Sequence, residues 1–413
     1  MVATCWTQQR ENFQPLNENY IHTQVIKNLI PNQLLEFPKM YARLLVFNPY
    51  HFTPEFLMLF GPCKSQHQSE YNKPKPSALF IFGDSTVDPG NNNYITSTPE
   101  NRANYKPYGQ NGFFDAPTGR FSNGRVSVDF IAEKANLPLI PPFMQPFIVY
   151  SSGVNFASGG SGVLPETNQG NVIDLPTQLK NFELVRKSLA KKHGDYESKR
   201  IISKAVYFVS IGSNDYLGGY LGSPKMQALH QPQAYVELVI QNLTRSIQFL
   251  YEKGARKFGF LSLTPLGCLP ALRAANPVPN ANGACFEQAN TLAMGHNHGL
   301  SAVLENLQQG LKGFKYSNTQ FYNWFQDRIN HPSQHGFKDG VNACCGMGPY
   351  RGTNTCGGTK SIKHYDLCDE PADYVWWDSY HATEKLHEQV ADDLWDGPAS
   401  FVGPYSLKSL FFA

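Results

Sequence analysis

The chain has 413 residues, with 35 basic against 33 acidic side chains, so no electrostatic footprint for nucleic acid is evident. Hydrophobic residues at 41% and aromatics at 13% are enough for a large core, which excludes a disordered chain. No apolar run approaches the about 18 residues of a spanning helix. Residues 1–75 read as an atypical N-terminal extension, expected to be poorly ordered. They mix Gln, Asn, Pro and scattered aromatics, and their one apolar cluster, Phe56–Phe60, is short and too deep in the chain for a secretory signal. Ala78–Phe82 is a short continuous apolar run that enters Gly83-Asp84-Ser85, the pattern of a fully buried strand in a parallel sheet. Such a strand delivers its C-terminal residues to the crevice where open α/β sheets bind ligands, which is where a nucleophilic Ser85 is useful.

Arg102–Gly124, rich in Asn, Tyr, Pro and Gly, reads as a long loop of the kind that borders a cleft. Helical spacing follows over Val126–Ala135, and Val154–Gly162 is a β-like segment ending in glycines. An amphipathic helix over Leu179–Leu189 has Lys191–His193 near its C-terminal dipole. Ala205–Ile211 is a second core strand closed by Gly212-Ser213-Asn214-Asp215, with turns around Leu217–Lys225. A helix over Tyr235–Leu250, a strand over Lys257–Leu263, a helix over Ala289–Leu311 and a strand over Phe314–Phe321 complete an alternation of strands and helices. That alternation predicts a three-layer α/β/α sandwich around a mostly parallel sheet. Asp378 and His381 share one short motif ahead of a helix at Thr383–Trp395, close enough for a carboxylate–imidazole hydrogen bond.

Apart from Cys5 and Cys63, the cysteines fall late, in Gly- and Pro-rich stretches, which suggests disulfides and an oxidising compartment. A zinc site is the rival, but no Cys-x-x-Cys pair occurs. Local pairing joins Cys268 with Cys285. Cys344 and Cys345 each take one of Cys356 and Cys368, and both arrangements remain open, because adjacent cysteines bridge only with strain. Asn242-Leu243-Thr244 is a glycosylation sequon.

Four blocks now stand in order: Gly83-Asp84-Ser85, Asn155–Gly162, Gly212–Asp215 and Asp378–His381. With DPGNNNY, PTGRFSNGR, GVNFASGGSG, TPLGCLP and ACCGMGPYRGTNTCGG between them, residues 76–398 resemble the plant GDSL esterase/lipase family, a branch of the SGNH hydrolases, and in particular its secreted, defence-linked lipases. The resemblance implies a flavodoxin-like sheet and a serine carboxylic-ester hydrolase that works through an acyl-enzyme and needs no metal or cofactor. It implies Ser85 as nucleophile, His381 as base and Asp378 as its orienting partner. It also implies an oxyanion hole from the N–H groups of Ser85 and Gly160, with Gly159 and Gly162 as rivals, and the amide of Asn214. No G-x-S-x-G surrounds Ser85, which counts against the ordinary α/β-hydrolase pattern.

Three departures from the family pattern stand out: Thr86 where the family name has Leu, Ala382 where it often has Pro, and Met1–Lys73 where a signal peptide is usual. We read that first stretch as replacing the true leader, and residues 399–413 as a C-terminal tail. The expected partners are small-molecule or lipid esters, with no nucleic acid, no transmembrane segment and a monomeric state. The alternatives are an acyltransferase with the same triad, an esterase of acetylated polysaccharide, and an idle lipid- or carbohydrate-binding protein.

Overall fold

A computed structural model describes residues 77–278, 282–353, 356–357 and 364–412; the N-terminal extension with Cys5 and Cys63 lies outside them. Five parallel strands form the core: β1 (Leu79–Gly83), β2 (Gly153–Asn155), β3 (Val206–Ser210), β4 (Lys257–Phe260) and β5 (Lys315–Thr319). All five residues of β1 and all five of β3 are buried, as strands covered on both faces must be. The order is β2-β1-β3-β4-β5, the flavodoxin-like order with its reversal between β1 and β3. β1 and β3 pair in register from Leu79↔Val206 to Gly83↔Ser210. Helices Ser127–Lys134 and Glu384–Asp396 pack together in one layer, and Leu175–Lys204, Pro232–Glu252 and Glu287–Gly310 pack in the other.

Several predicted boundaries move. The helix placed at Leu179–Leu189 begins earlier, at Leu175, and runs to a break at Gly194, whose φ of 79° and ψ of 163° are not helical; Lys191–His193 therefore do stand at its C-terminal end, and a second helix continues to Lys204. The strand expected to reach Leu263 ends at Phe260, because Ser262 turns both its N–H and its hydroxyl to Thr319. The turns around Leu217–Lys225 are a wide helical segment, Asp215–Leu221, followed by a short helix, Pro224–Leu229. The stretch set apart as a tail carries a strand, Val402–Pro404, antiparallel to β5, and a helix, Leu407–Phe412, whose Leu407, Leu410 and Phe411 are buried.

Three disulfides join Cys268–Cys285, Cys344–Cys368 and Cys345–Cys356, which resolves the open pairing. Cys344 and Cys345 donate their N–H groups to the carbonyls of Trp376 and Trp377, so two of these bridges brace the short strand Tyr374–Trp376 that leads into Asp378. Asn242 lies within the Pro232–Glu252 helix, half-buried, with Nδ2 bonded to the Leu238 carbonyl. No helix among the described residues is long and apolar enough to cross a membrane.

Candidate active site

The site forms at the C-terminal ends of β1, β2 and β3, where each strand gives way to small polar residues. Ser85 sits on the turn that ends β1. Gly83 is required there because a Cβ would lie 2.2 Å from the Ser210 carbonyl oxygen. Gln178, fully buried on the neighbouring helix, accepts from the Gly83 N–H and donates to its carbonyl, both at 2.9 Å, and so fixes the turn. Thr86 closes it from the other side, with its hydroxyl 2.7 Å from Asp84 Oδ1 and 2.8 Å from Ser210 Oγ. Complete burial raises the Asp84 carboxyl above its ordinary value, against the hydrogen bonds from Thr86 and the nearby His381.

Folding brings Ser85, His381 and Asp378 into one series. Ser85 Oγ lies 2.8 Å from His381 Nε2, across 296 residues of chain. His381 Nδ1 lies 2.8 and 3.0 Å from the two oxygens of Asp378, whose side chain is wholly buried. The Asp378–His381 segment is a tight bend. The N–H groups of Tyr380 and His381 turn back on Asp378 Oδ1, and the Trp377 N–H donates to the His381 carbonyl. With Ala382 in the place of proline, this bend and the helix that follows still hold the imidazole on the serine.

The glycine loop after β2 is suspended between two buried carboxylates. Asp88 accepts from Gly90, Asn91 and Gly159, and Asp215 accepts from Val163, Leu164 and the Thr167 hydroxyl. Burial pushes both carboxyls up to about 6, opposed by those same donors. Within the loop, Ser158 N–H goes to Gly83, Gly159 to Asp88 and Ser161 to Ser158, while the Gly160 N–H has no hydrogen-bond partner among the described residues. Gly160 itself holds φ +84°, and a Cβ there would meet Asn101 Oδ1 at 2.4 Å. Asn214 follows β3 and donates one amide hydrogen to the Ser161 carbonyl at 2.9 Å, which leaves the other. Ser85, Gly160, Asn214 and His381 all line one cavity of about 770 Å³, whereas Gly159 and Gly162 do not. Its remaining wall is largely apolar, including Leu266, Leu269, Phe325, Leu386 and Val390.

Residues missed in the sequence come mostly from the Arg102–Gly124 loop and the residue after it. Tyr108 donates to Asp378 Oδ2 at 2.6 Å, and the Phe121 ring lies 4.7 Å from the His381 ring. Asn123 Oδ1 accepts the Glu384 N–H at the start of the helix after His381, and Arg125 holds the Glu384 carboxylate at 2.7 Å. Arg120 is anchored beneath by a two-pronged pair with buried Asp129, 2.7 Å on each prong. The motif PTGRFSNGR was a signal for this loop, but nothing in it announced a partner near residue 380.

A hydroxyl, an imidazole and a carboxylate in series, beside free N–H donors at the ends of parallel strands, define the serine-hydrolase class on a flavodoxin-like sheet. A family model described as GDSL-like Lipase/Acylhydrolase matches residues 79–394. The chain is 46% identical to GDSL esterase/lipase 5 of Arabidopsis thaliana over 362 residues, 86% of this chain and 92% of that relative. It is also 41% identical to a GDSL lipase of Tanacetum cinerariifolium over 335 residues, 81% of this chain and 88% of that relative. The chain therefore belongs to the GDSL lipase/acylhydrolase family and is a carboxylic-ester hydrolase.

Proposed function

We propose that Ser85, His381 and Asp378 form the catalytic triad of an acylhydrolase for esters with an extended apolar acyl group. Ser85 Oγ attacks the ester carbonyl carbon as its proton passes to His381 Nε2. Asp378 keeps the Nδ1–H tautomer facing it and stabilises the imidazolium. The negative oxygen that develops is met by the N–H groups of Ser85 and Gly160 and by the second amide hydrogen of Asn214. Collapse breaks the ester C–O bond, and the leaving alcohol takes the proton from His381. Water then repeats the sequence on the acyl-Ser85, releasing the carboxylic acid and restoring the serine.

The observation that carries this reading is the 2.8 Å contact between Ser85 Oγ and His381 Nε2 on the wall of a largely apolar cavity. A pocket of that size and lining favours a hydrocarbon chain over an acetyl group, and so a lipid-like ester over an acetylated polysaccharide. Three disulfides and the family likeness support action outside the cell, in an oxidising compartment. The test is hydrolysis of p-nitrophenyl esters of increasing chain length. We expect kcat/KM to rise from acetate to octanoate, and Ser85→Ala to lower kcat by about a thousandfold or more. A Ser85→Ala enzyme that keeps its activity ends the proposal.

A further inference from the structure

The loop that supplies Phe121 and Asn123 also places a phenol on the far side of the acid–base pair. Tyr108 is 1% exposed and is packed edge-on against Tyr105, Phe121 and Trp377 with ring centroids 5.5 to 6.1 Å apart, so its hydroxyl has one direction to point. It reaches Asp378 Oδ2 at 2.6 Å, shorter than either contact of that carboxylate with His381 Nδ1. We propose that Tyr108 is a positioning residue for the Asp378–His381 pair, holding the carboxylate against Nδ1 and drawing off part of its charge. The inference rests on the triad reading above.

Two consequences follow from the chemistry. Tyr108 fixes the carboxylate from the side opposite the two backbone N–H groups that hold Oδ1, so that rotation of Asp378 away from the imidazole is blocked. Its O–H dipole also presents its positive end to the carboxylate, which weakens the negative potential at His381 and eases loss of the proton from the imidazolium. Burial and the Asp378 charge push the Tyr108 phenol well above its ordinary value, so it remains a donor across the working range. Ionisable groups near this assembly include Asp84, whose charge favours the imidazolium, His387, which burial holds neutral above about pH 4 so that it adds no opposing charge there, and Tyr105 and Tyr380, which interact with Tyr108 and Asp378 respectively.

The test is the pH profile of kcat/KM for p-nitrophenyl butyrate in wild type and Tyr108→Phe, with circular dichroism as the folding control. We expect kcat to fall about tenfold, as for loss of a hydrogen bond to a charged group. KM should be unchanged, because Tyr108 does not line the cavity. The acid limb should move to higher pH by roughly half a unit. Site-specific 3-fluorotyrosine at 108 keeps the shape and strengthens the donor, so it should move the limb the opposite way. A purely structural role predicts no such pair of opposed shifts. Limbs that coincide with wild type in both variants overturn the proposal, and if Tyr108→Phe does not fold, the fluorotyrosine enzyme decides. Failure of the triad reading is distinguishable, since wild type would then show no fluorophosphonate adduct on Ser85.

Discussion

At the scale of single residues, the site separates what a motif can say from what only folding can. Ser85, Asn214, Asp378, His381 and the Gly159–Gly162 loop were legible as candidates because each sits in a short string whose residue types are unusual together at the end of a predicted strand or ahead of a helix. Tyr108 and Gln178 were not, because a tyrosine in a polar loop and a glutamine on a helix have no local signature; their partners lie 270 and 95 residues away. The choice among Gly159, Gly160 and Gly162 was likewise closed to sequence, since it depends on which N–H is already spent on Asp88 or a neighbouring carbonyl. Asn214 allows a direct test of its assigned role. Asn214→Ala is expected to lower kcat by a few hundredfold, about 3 to 4 kcal/mol of transition-state stabilisation, with KM little changed. Steady-state kinetics on the butyrate ester check it, and a rise in KM at constant kcat would assign Asn214 to substrate binding alone.

Among elements, the strands and long helices were readable because apolar runs and helical spacing follow from burial, whereas their ends depend on who caps them. The helix after His381 shows why. Its N-cap Thr383 spends its hydroxyl on the Tyr374 carbonyl and not on its own helix, and the first-turn N–H of Glu384 is satisfied by Asn123 from a remote loop. Asn123→Ala therefore removes a cap in trans. It is expected to cost about 1 kcal/mol, read as a lower urea midpoint, and to lower kcat as well, because His381 lies three residues ahead of that turn. The Arg102–Gly124 loop was predicted to border a cleft. Phe121 does line it, but the loop's larger part is to clasp the histidine arm, through contacts that no periodicity encodes.

For the whole molecule, buried ionisable groups of opposite kind set the response to acid. Burial lowers His296 to about 3 and His387 to about 4, so each stays neutral when folded while the unfolded chain takes up protons below about 6.5. Their contribution to stability is present above that value and is lost as pH falls. Asp88 and Asp215, raised to about 6, act in the opposite sense: the folded state holds their protons first, so they favour it on acidification and cease to as pH rises through 6. His296→Gln is thus expected to flatten the decline of the urea midpoint between pH 6.5 and 4, whereas Asp215→Asn should steepen it. Equal slopes in all three proteins would refute this assignment. The antiparallel strand at Val402–Pro404 carries a last consequence, for biosynthesis. That strand is laid down after residue 381, and the imidazole that faces Ser85 is itself made 296 residues after the serine. A growing chain therefore carries Ser85 without its imidazole partner while all the intervening sequence is made, and the site can assemble only after residue 381 has emerged.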